Sequence, residues 1–195
     1  MLNLRTKIRN ENIQAFMDAG ILGYKSEHQS TVLAGGAVRS FITKENPRDF
    51  DVFVIGEDAT EQVKTELLAK CDAEYKNTFR CPQKLLYSYE TPFGKMQVIT
   101  PRTYATIEDL LDSFDLTPCR GAFDGERVTL DKAFIRDVKK KVCNIHRITY
   151  PTATMNRIFK YRTYGYSTFQ ATEEFVRQVN VSDFPTEDLF KHYID

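Results

Sequence analysis

No apolar run in this chain approaches the length needed to cross a bilayer, and neither sign of charge prevails. Lysine plus arginine number 27 and aspartate plus glutamate number 27, a formal net charge of zero. With no global field, a large non-specific footprint on nucleic acid or on an acidic membrane is excluded, although a local basic groove is not. Cysteine is sparse. Cys71, Cys81, Cys119 and Cys143 are scattered, form no C-x-x-C pair and lie near no histidine at zinc-finger spacing, which leaves reduced structural thiols as the reading. His28, His146 and His192 form no constellation of their own. Internal repeats and low-complexity tracts are missing as well. The N-terminus is polar and amphipathic rather than a secretory signal, so the expectation is a soluble, cytoplasmic protein with no membrane partner and an oligomeric state that the sequence leaves open.

The 195 residues suffice for one core with a short appendage. Ile13, Phe16 and Met17 recur at helical spacing within 10–19, ahead of Gly20 and Gly23. A short apolar strand is expected over 31–34 and a helix from Gly36 to about Thr43, stopped before Pro47. A second strand covers 50–55. A helix from about Ala59 to Ala69 buries Val63, Leu67 and Leu68. Strands at 74–79, 84–90 and 95–100 follow, the last two joined through Thr91-Pro92-Phe93-Gly94 as a hairpin. Thr106 caps a helix to about Asp112, with Glu108 and Asp109 in its first turn. Segments 119–123 and 127–130 flank an Asp124-Gly125 turn. Beyond Tyr150-Pro151 the pattern is wholly helical, over 154–164, 170–180 and 186–193. The expected fold class is α+β, a mixed sheet flanked by helices, with a core over 1–150 and a small helical appendage over 151–195.

Two stretches stand out for chemistry. Leu33-Ala34-Gly35-Gly36-Ala37-Val38-Arg39 reads as a buried strand ending in a glycine turn that opens a helix. Such a turn lets a ligand approach the backbone closely and offers N–H groups to an anion. Pro47-Arg48-Asp49-Phe50-Asp51-Val52-Phe53-Val54 reads as a strand with two carboxylates two positions apart. Side chains alternate along a strand, so Asp49 and Asp51 share one side and Phe50 turns to the other, toward the core. Two carboxylates aimed at one spot repel unless a cation sits between them. Mg²⁺ suits such a pair, because it takes one or two carboxylates and completes its shell with water and phosphate oxygens. Together the two stretches point to metal-assisted handling of a nucleoside triphosphate.

Gly35-Gly36-Ala37-Val38-Arg39 followed by Pro47-Arg48-Asp49-Phe50-Asp51 resembles the signature of the nucleotidyltransferase superfamily, which includes DNA polymerase beta. It is most similar to the branch with the CCA-adding enzymes and bacterial poly(A) polymerases, over residues 32 to 55. The resemblance implies a nucleotidyltransferase-like sheet. It also implies a site in which Asp49 and Asp51 bind Mg²⁺ or Mn²⁺, and Gly35 and Gly36 hold an incoming NTP such as ATP. The implied activity moves a nucleoside monophosphate to an acceptor hydroxyl with release of pyrophosphate. The acceptor would be an RNA 3′ end, a protein or a small molecule. Long helical neck and tail regions of that branch have no room in the 45 or so residues after Pro151, so a minimal stand-alone transferase, from a virus or mobile element, is the form expected. A fold that keeps the nucleotide or RNA site without turnover is the alternative.

The remaining candidates carry alternatives. Arg39 contacts substrate or pairs with Asp49 or Glu45 to set its helix angle. Where the family has an acid after this arginine, Ser40 stands here. The superfamily adds a third carboxylate on a neighbouring strand, and Gln97 occupies that place, where an amide neither takes a proton nor balances metal charge. Asp115, in Ser113-Phe114-Asp115-Leu116, replaces the acid in a catalytic role, acts as a structural cap, or leaves a site of two acids. In the tail, Arg157, Tyr161 and Tyr164 share a helical face near Lys160. Lys160 and Tyr161 are candidates for nucleotide binding, with a base stacked on tyrosine worth about 1–3 kcal/mol. Tyrosines packed on the core with cations snorkelling outward are the other reading. The basic run Arg136, Lys139, Lys140 and Lys141 reads as a solvated helix face.

Overall fold

The computed structural model describes residues 1–5, 11–23, 30–56, 61–81 and 86–178. Among them an eight-stranded sheet forms the centre, with strands β1 (Leu2–Arg5), β2 (Ser30–Ala34), β3 (Asp49–Ile55), β4 (Lys76–Cys81), β5 (Leu86–Thr91), β6 (Gly94–Tyr104), β7 (Gly121–Phe123) and β8 (Arg127–Leu130). The order across the sheet is β1-β8-β7-β2-β3-β6-β5-β4. Only the β3–β6 neighbours run parallel, and the other pairs are antiparallel. The mixed α+β architecture expected from the sequence is therefore the one observed.

Alternation along the strands builds two different faces. Leu33, Phe50, Val52, Val54, Met96 and Val98 belong to the larger core cluster. Over it lie α1 (Glu11–Asp18), α2 (Gly36–Thr43), α3 (Glu61–Glu74) and α5 (Lys132–Lys140), which contribute Ile13 and Phe16, Val38, Leu67 and Phe134 respectively. The opposite face carries Val32, Ala34, Phe53, Ile55 and Ala122, covered by Leu110 and Leu111 of α4 (Ile107–Ser113). Asp49 and Asp51 have the parity of Phe53 and Ile55, so they sit on this second face. The apolar cover there lies over the later residues of β3. A third cluster joins Leu116 and Cys143 to Ile158, Tyr161 and Tyr166, so α6 (Pro151–Thr163) packs chiefly beside the sheet. Partly buried Phe175 and Val176 of α7 (Gln170–Gln178) pack against it.

Local chemistry explains the boundaries. Helix α2 ends at Lys44, which takes a left-handed conformation (φ 59°) and returns its N–H to Phe41 and Ser40 carbonyls. The break thus comes before Pro47, at a cap that lysine does not advertise. Thr106 accepts from Asp109 and Asp109 reaches back to the Thr106 N–H, a complete capping box. Helix α3 runs one turn beyond its expected end, because Cys71 on that turn is fully buried. That extension moves the following strand to 76–81. β1 escaped sequence reading: the alternation of Leu2-Asn3-Leu4-Arg5 lasts only four residues, all of them exposed, and the strand exists through pairing with β8. So did the two-residue parallel pair of β9 (Val142–Cys143) and β10 (Ser167–Thr168). The helix expected over 186–193, His28 and His192 lie outside the described residues.

Cys71, Cys119 and Cys143 are free thiols. Burial pushes Cys71 up to about 12 and Cys119 up to about 11, and raises Cys143 also, which keeps all three unreactive. Among the described residues no helix is long and apolar enough to span a membrane.

The hairpin Thr91–Gly94 aligns Lys95 and Gln97 with Asp49 and Asp51. Gly94 has φ 134°, and a Cβ there would stand 2.7 Å from the Arg48 carbonyl oxygen. Gly94→Ala is expected to cost about 1–3 kcal/mol, a fall in melting temperature of roughly 2–4 °C per kcal/mol for a chain of this size. Thermal unfolding followed by circular dichroism checks this, and an unchanged midpoint would contradict the close approach.

Candidate active site

The register of β3 against its neighbours sets out the site. Asp51 pairs with Ala34 on one side and with Gln97 on the other, and Gln97 pairs with Ser88. Paired residues share a face, so a row of Ala34, Asp51, Gln97 and Ser88 runs across the sheet. One step toward the start of the strand, Asp49 pairs with Lys95. Phe50 between the acids is fully buried in the main core. Its ring packs edge-on to Phe16 at 5.1 Å, which fixes the strand at the point where both carboxylates leave it.

The glycine turn meets this pair. Gly35 has φ 80° and ψ −138°, a conformation that a side chain would strain. Its N–H donates to the Gly121 carbonyl at 3.0 Å. A Cβ on Gly35 would lie 3.7 Å from Asp51 Oδ2, while one on Gly36 would meet nothing within 4 Å. The bend therefore touches the carboxylate through Gly35 and opens into free space at Gly36. No side chain caps the start of α2, so its first N–H groups suit an anionic ligand.

Electrostatics single out Asp51. Its carboxyl is pushed up to about 6, first by burial and then by the Asp49 charge, against the opposing pull of Arg157, Lys160 and Lys95. The cations thus compensate the acids only in part. Lys160 Nζ stands 3.8 Å from Asp49 Oδ2. Arg157 lies 2.5 Å from Asp115 Oδ2, which also accepts from Thr154 at 2.9 Å. The Asp115 backbone oxygen accepts from the N–H groups of His146 and Arg147. Asp115, itself 7% exposed, thus fastens α6 to the end of α4, and its engaged side chain presents Arg157 toward Asp51.

Arg39, also 7% exposed, extends along a different path. Its guanidinium carbon lies 5.1 Å from the Tyr161 ring centre, 5.2 Å from that of Tyr164 and 5.9 Å from that of Tyr166. Each such contact contributes about 0.5–2 kcal/mol. Glu45 lies 3.8 Å away. The Tyr161 hydroxyl meets Cys119 Sγ at 3.2 Å. The structure brings together Asp49, Asp51, Gly35, Gly36 and Lys160. It sets Arg39 and Tyr161 behind them, ring against guanidinium, as the joint between α2 and α6. The basic run is split: Lys139 and Lys140 close α5, while Arg136 pairs with the buried Asp137. Lys95 was not singled out in the sequence, although its place one pair from Asp49 follows once β3 and β6 are set in register. A separate groove of about 660 Å³, lined by Asn144, His146, Ile148, Phe169 and Phe175 among others, lies away from the carboxylates.

The residues fit a divalent cation. Two carboxylates with residual negative charge face one opening, and the Gln97 amide nitrogen is committed to Ser88 at 3.3 Å, leaving its carbonyl as a neutral oxygen donor. Among the described residues no third acid, histidine or cysteine completes a cluster. A set of two acids suits an ion that draws its other ligands from water and phosphate.

A family model described as Gad2, Gabija anti-defense 2 family protein, matches residues 6–141. A protein of Bacillus phage SPbetaL7 named Gabija anti-defense 2 is 24% identical over 157 residues, covering 78% of this chain and 37% of that protein. Among solved structures, a CCA-adding enzyme in complex with ATP superposes with a TM-score of 0.71 at 17% identity, over 94% of this chain and 46% of that one. The Thermotoga maritima CCA-adding enzyme complexed with tRNA gives 0.66 at 16% identity, over 91% and 45%. The fold is therefore that of the nucleotidyltransferases. The chain spans less than half the length of each of these relatives.

Because the folded state keeps a proton on Asp51 that the unfolded chain has released, stability falls as pH rises from about 4 to about 6. Asp51→Asn removes that burden. It is expected to stabilise the metal-free protein at pH 7.5 by on the order of 1 kcal/mol, after allowance for solvent screening, and to have little effect near pH 4. Melting curves at the two pH values check this. A destabilised variant at pH 7.5 would mean that the surrounding cations hold the carboxylate more firmly than burial and Asp49 oppose it.

Proposed function

This chain belongs to the Gabija anti-defense 2 family, and from that premise we propose that it is a metal-dependent nucleotidyltransferase acting against Gabija defence. The observation that carries the reading is the closeness of Gly35 to Asp51: a Cβ added to the glycine would stand 3.7 Å from the carboxylate Oδ2. It puts an anion-accepting bend beside the carboxylate pair. In this reading Asp49 and Asp51 hold Mg²⁺ or Mn²⁺. A divalent cation bound there supplies Lewis-acid charge to the phosphate oxygens and to the attacking hydroxyl. Gly35, Gly36 and the start of α2 receive the triphosphate through backbone N–H groups. Arg157 and Lys160 add positive charge where negative charge builds up on the phosphates. Asp115, with Arg39 and Tyr161, acts as a positioning group, holding α6 so that its cations face the carboxylates. Helix α6 serves this presentation. The acceptor we propose is an RNA 3′ end, by analogy with the tRNA complex of a structural neighbour; a protein or small-molecule hydroxyl would present the same nucleophile.

A second reading has its own observation. Gln97 lies beside Asp51 with its amide bonded to Ser88, where it offers no negative charge and no base. A site so equipped binds a metal–nucleotide pair and turns it over poorly, and such a protein would act by binding nucleotide or RNA.

Isothermal titration of Mg-ATP into the wild type and into an Asp49→Ala, Asp51→Ala double variant tests the site. Heat of binding is expected in the first and its loss in the second, and equal heats for the two would end both readings. Pyrophosphate release, measured with an RNA acceptor panel, then separates them: release supports transfer, and binding without release supports the nucleotide-binding module.

A further inference from the structure

We propose that Lys160 is an exchangeable counter-ion: it covers Asp49 when the carboxylate pair is without a divalent cation and passes to the nucleotide phosphates when one arrives. This rests on the metal–nucleotide reading above and adds to it a direct competition between a side chain of α6 and the metal.

Three observations lead there. Lys160 Nζ lies 3.8 Å from Asp49 Oδ2, with the two side chains 39% and 30% exposed. A pair so open to water is weak, and its ammonium is free to leave. The helix beneath it is not free. Arg157, one turn earlier, is tied to Asp115, as is Thr154, and the next residue, Tyr161, is buried against Arg39. Exchange therefore involves the four-carbon stem of Lys160 rather than movement of α6, and a flexible stem with a compact charge is suited to this. Third, the cations turned toward the acids are not held alike. Lys95, Arg157 and Lys160 face Asp49, Asp51 and Asp115, and Arg157 is tied to the buried Asp115 while Lys160 meets only the half-open Asp49. A divalent cation added at Asp49 repels the ammonium beside it, which is the less firmly held of the two charges on α6. The phosphates that accompany the metal bring negative charge to the same opening and give the ammonium its new partner. Arg157 is distinguished from Lys160 by its buried partner and does not exchange.

The test compares wild type, Lys160→Met and Lys160→Arg by calorimetric titration with Mn²⁺ alone, then with α,β-methylene-ATP at saturating Mn²⁺. Asp49→Asn serves as the control for the metal site. Lys160→Met is expected to bind Mn²⁺ alone roughly three-fold more tightly, the size set by loss of one exposed ion pair. It is expected to bind the nucleotide analogue roughly ten-fold more weakly, the size of a charge-assisted hydrogen bond. Lys160→Arg should stay near wild type in both titrations. Unchanged Mn²⁺ affinity in Lys160→Met overturns the exchange while leaving the metal site standing, and so does unchanged affinity for the analogue. Failure of both wild type and Lys160→Met to bind Mn²⁺ overturns the metal reading itself, and the exchange with it.

Discussion

Everything at the candidate site follows from holding two like charges on one edge of one strand. Asp49 and Asp51 leave β3 on the same side, and the neighbouring strand sets Lys95 beside Asp49 but only a neutral amide, Gln97, beside Asp51. Repulsion of this kind is costly in a partly buried place, and the fold sustains it through rigidity elsewhere. β3 is central in the sheet, paired on both sides, with Phe50 buried between the two acids. Loss of the Asp51 charge removes the conflict. The raised Asp51 carboxyl records how incompletely the protein resolves the conflict by itself.

The partial resolution comes from a helix that does not belong to the sheet layers. Helix α6 has its own small core with Leu116 and Cys143, and two polar joints orient it. One is Asp115, which ties Arg157 and Thr154 to the end of α4. The other is Arg39, whose guanidinium sits among three tyrosine rings and so connects the helix after the glycine turn to the end of α6. The joints do different work. The ion pair at Asp115 is buried on the acid side, so breaking it leaves an uncompensated charge. The Arg39 guanidinium combines ring faces with one hydrogen bond, from Nη2 to Ser40 Oγ at 3.2 Å, and leaves its Nε without a partner. The cation–acid balance over the carboxylate pair is a property of that docking, not of any one loop.

Gln97 decides how far the fold's chemistry can be read into this chain. A carboxylate there would share the burden of metal charge and offer a base, whereas the amide does neither. The family model fixes the family and the solved neighbours fix the fold, and neither fixes turnover, since the neighbours are 17% identical or less and each is more than twice the length this chain covers. The residues present are an open glycine bend, a carboxylate pair short of positive charge, and cations turned toward it, and both proposed readings rest on these parts.

The local elements were legible because their signals are local. The 3.6-residue and two-residue periodicities, the Thr106 cap and the Gly94 hairpin depend on neighbours in the chain, and so does the same-side placement of Asp49 and Asp51. β1 was not legible, since an alternation of only four residues, all exposed, is too short to mark a strand that exists through β8. The spacing of the glycines and aspartates marked a candidate metal–nucleotide site. It did not show which partners Arg39, Asp115, Lys160 and Tyr161 would take, because each meets groups tens of residues away: Tyr161, Arg157, Asp49 and Cys119. Sequence by itself determined which strand carries the acids and which turn precedes them, as both follow from backbone geometry over a few residues. Tertiary structure alone decided which cations face those acids, because charge compensation depends on distance in space: Lys95 reaches them through the pairing of β6 with β3, and Arg157 and Lys160 come from a helix more than a hundred residues further along the chain.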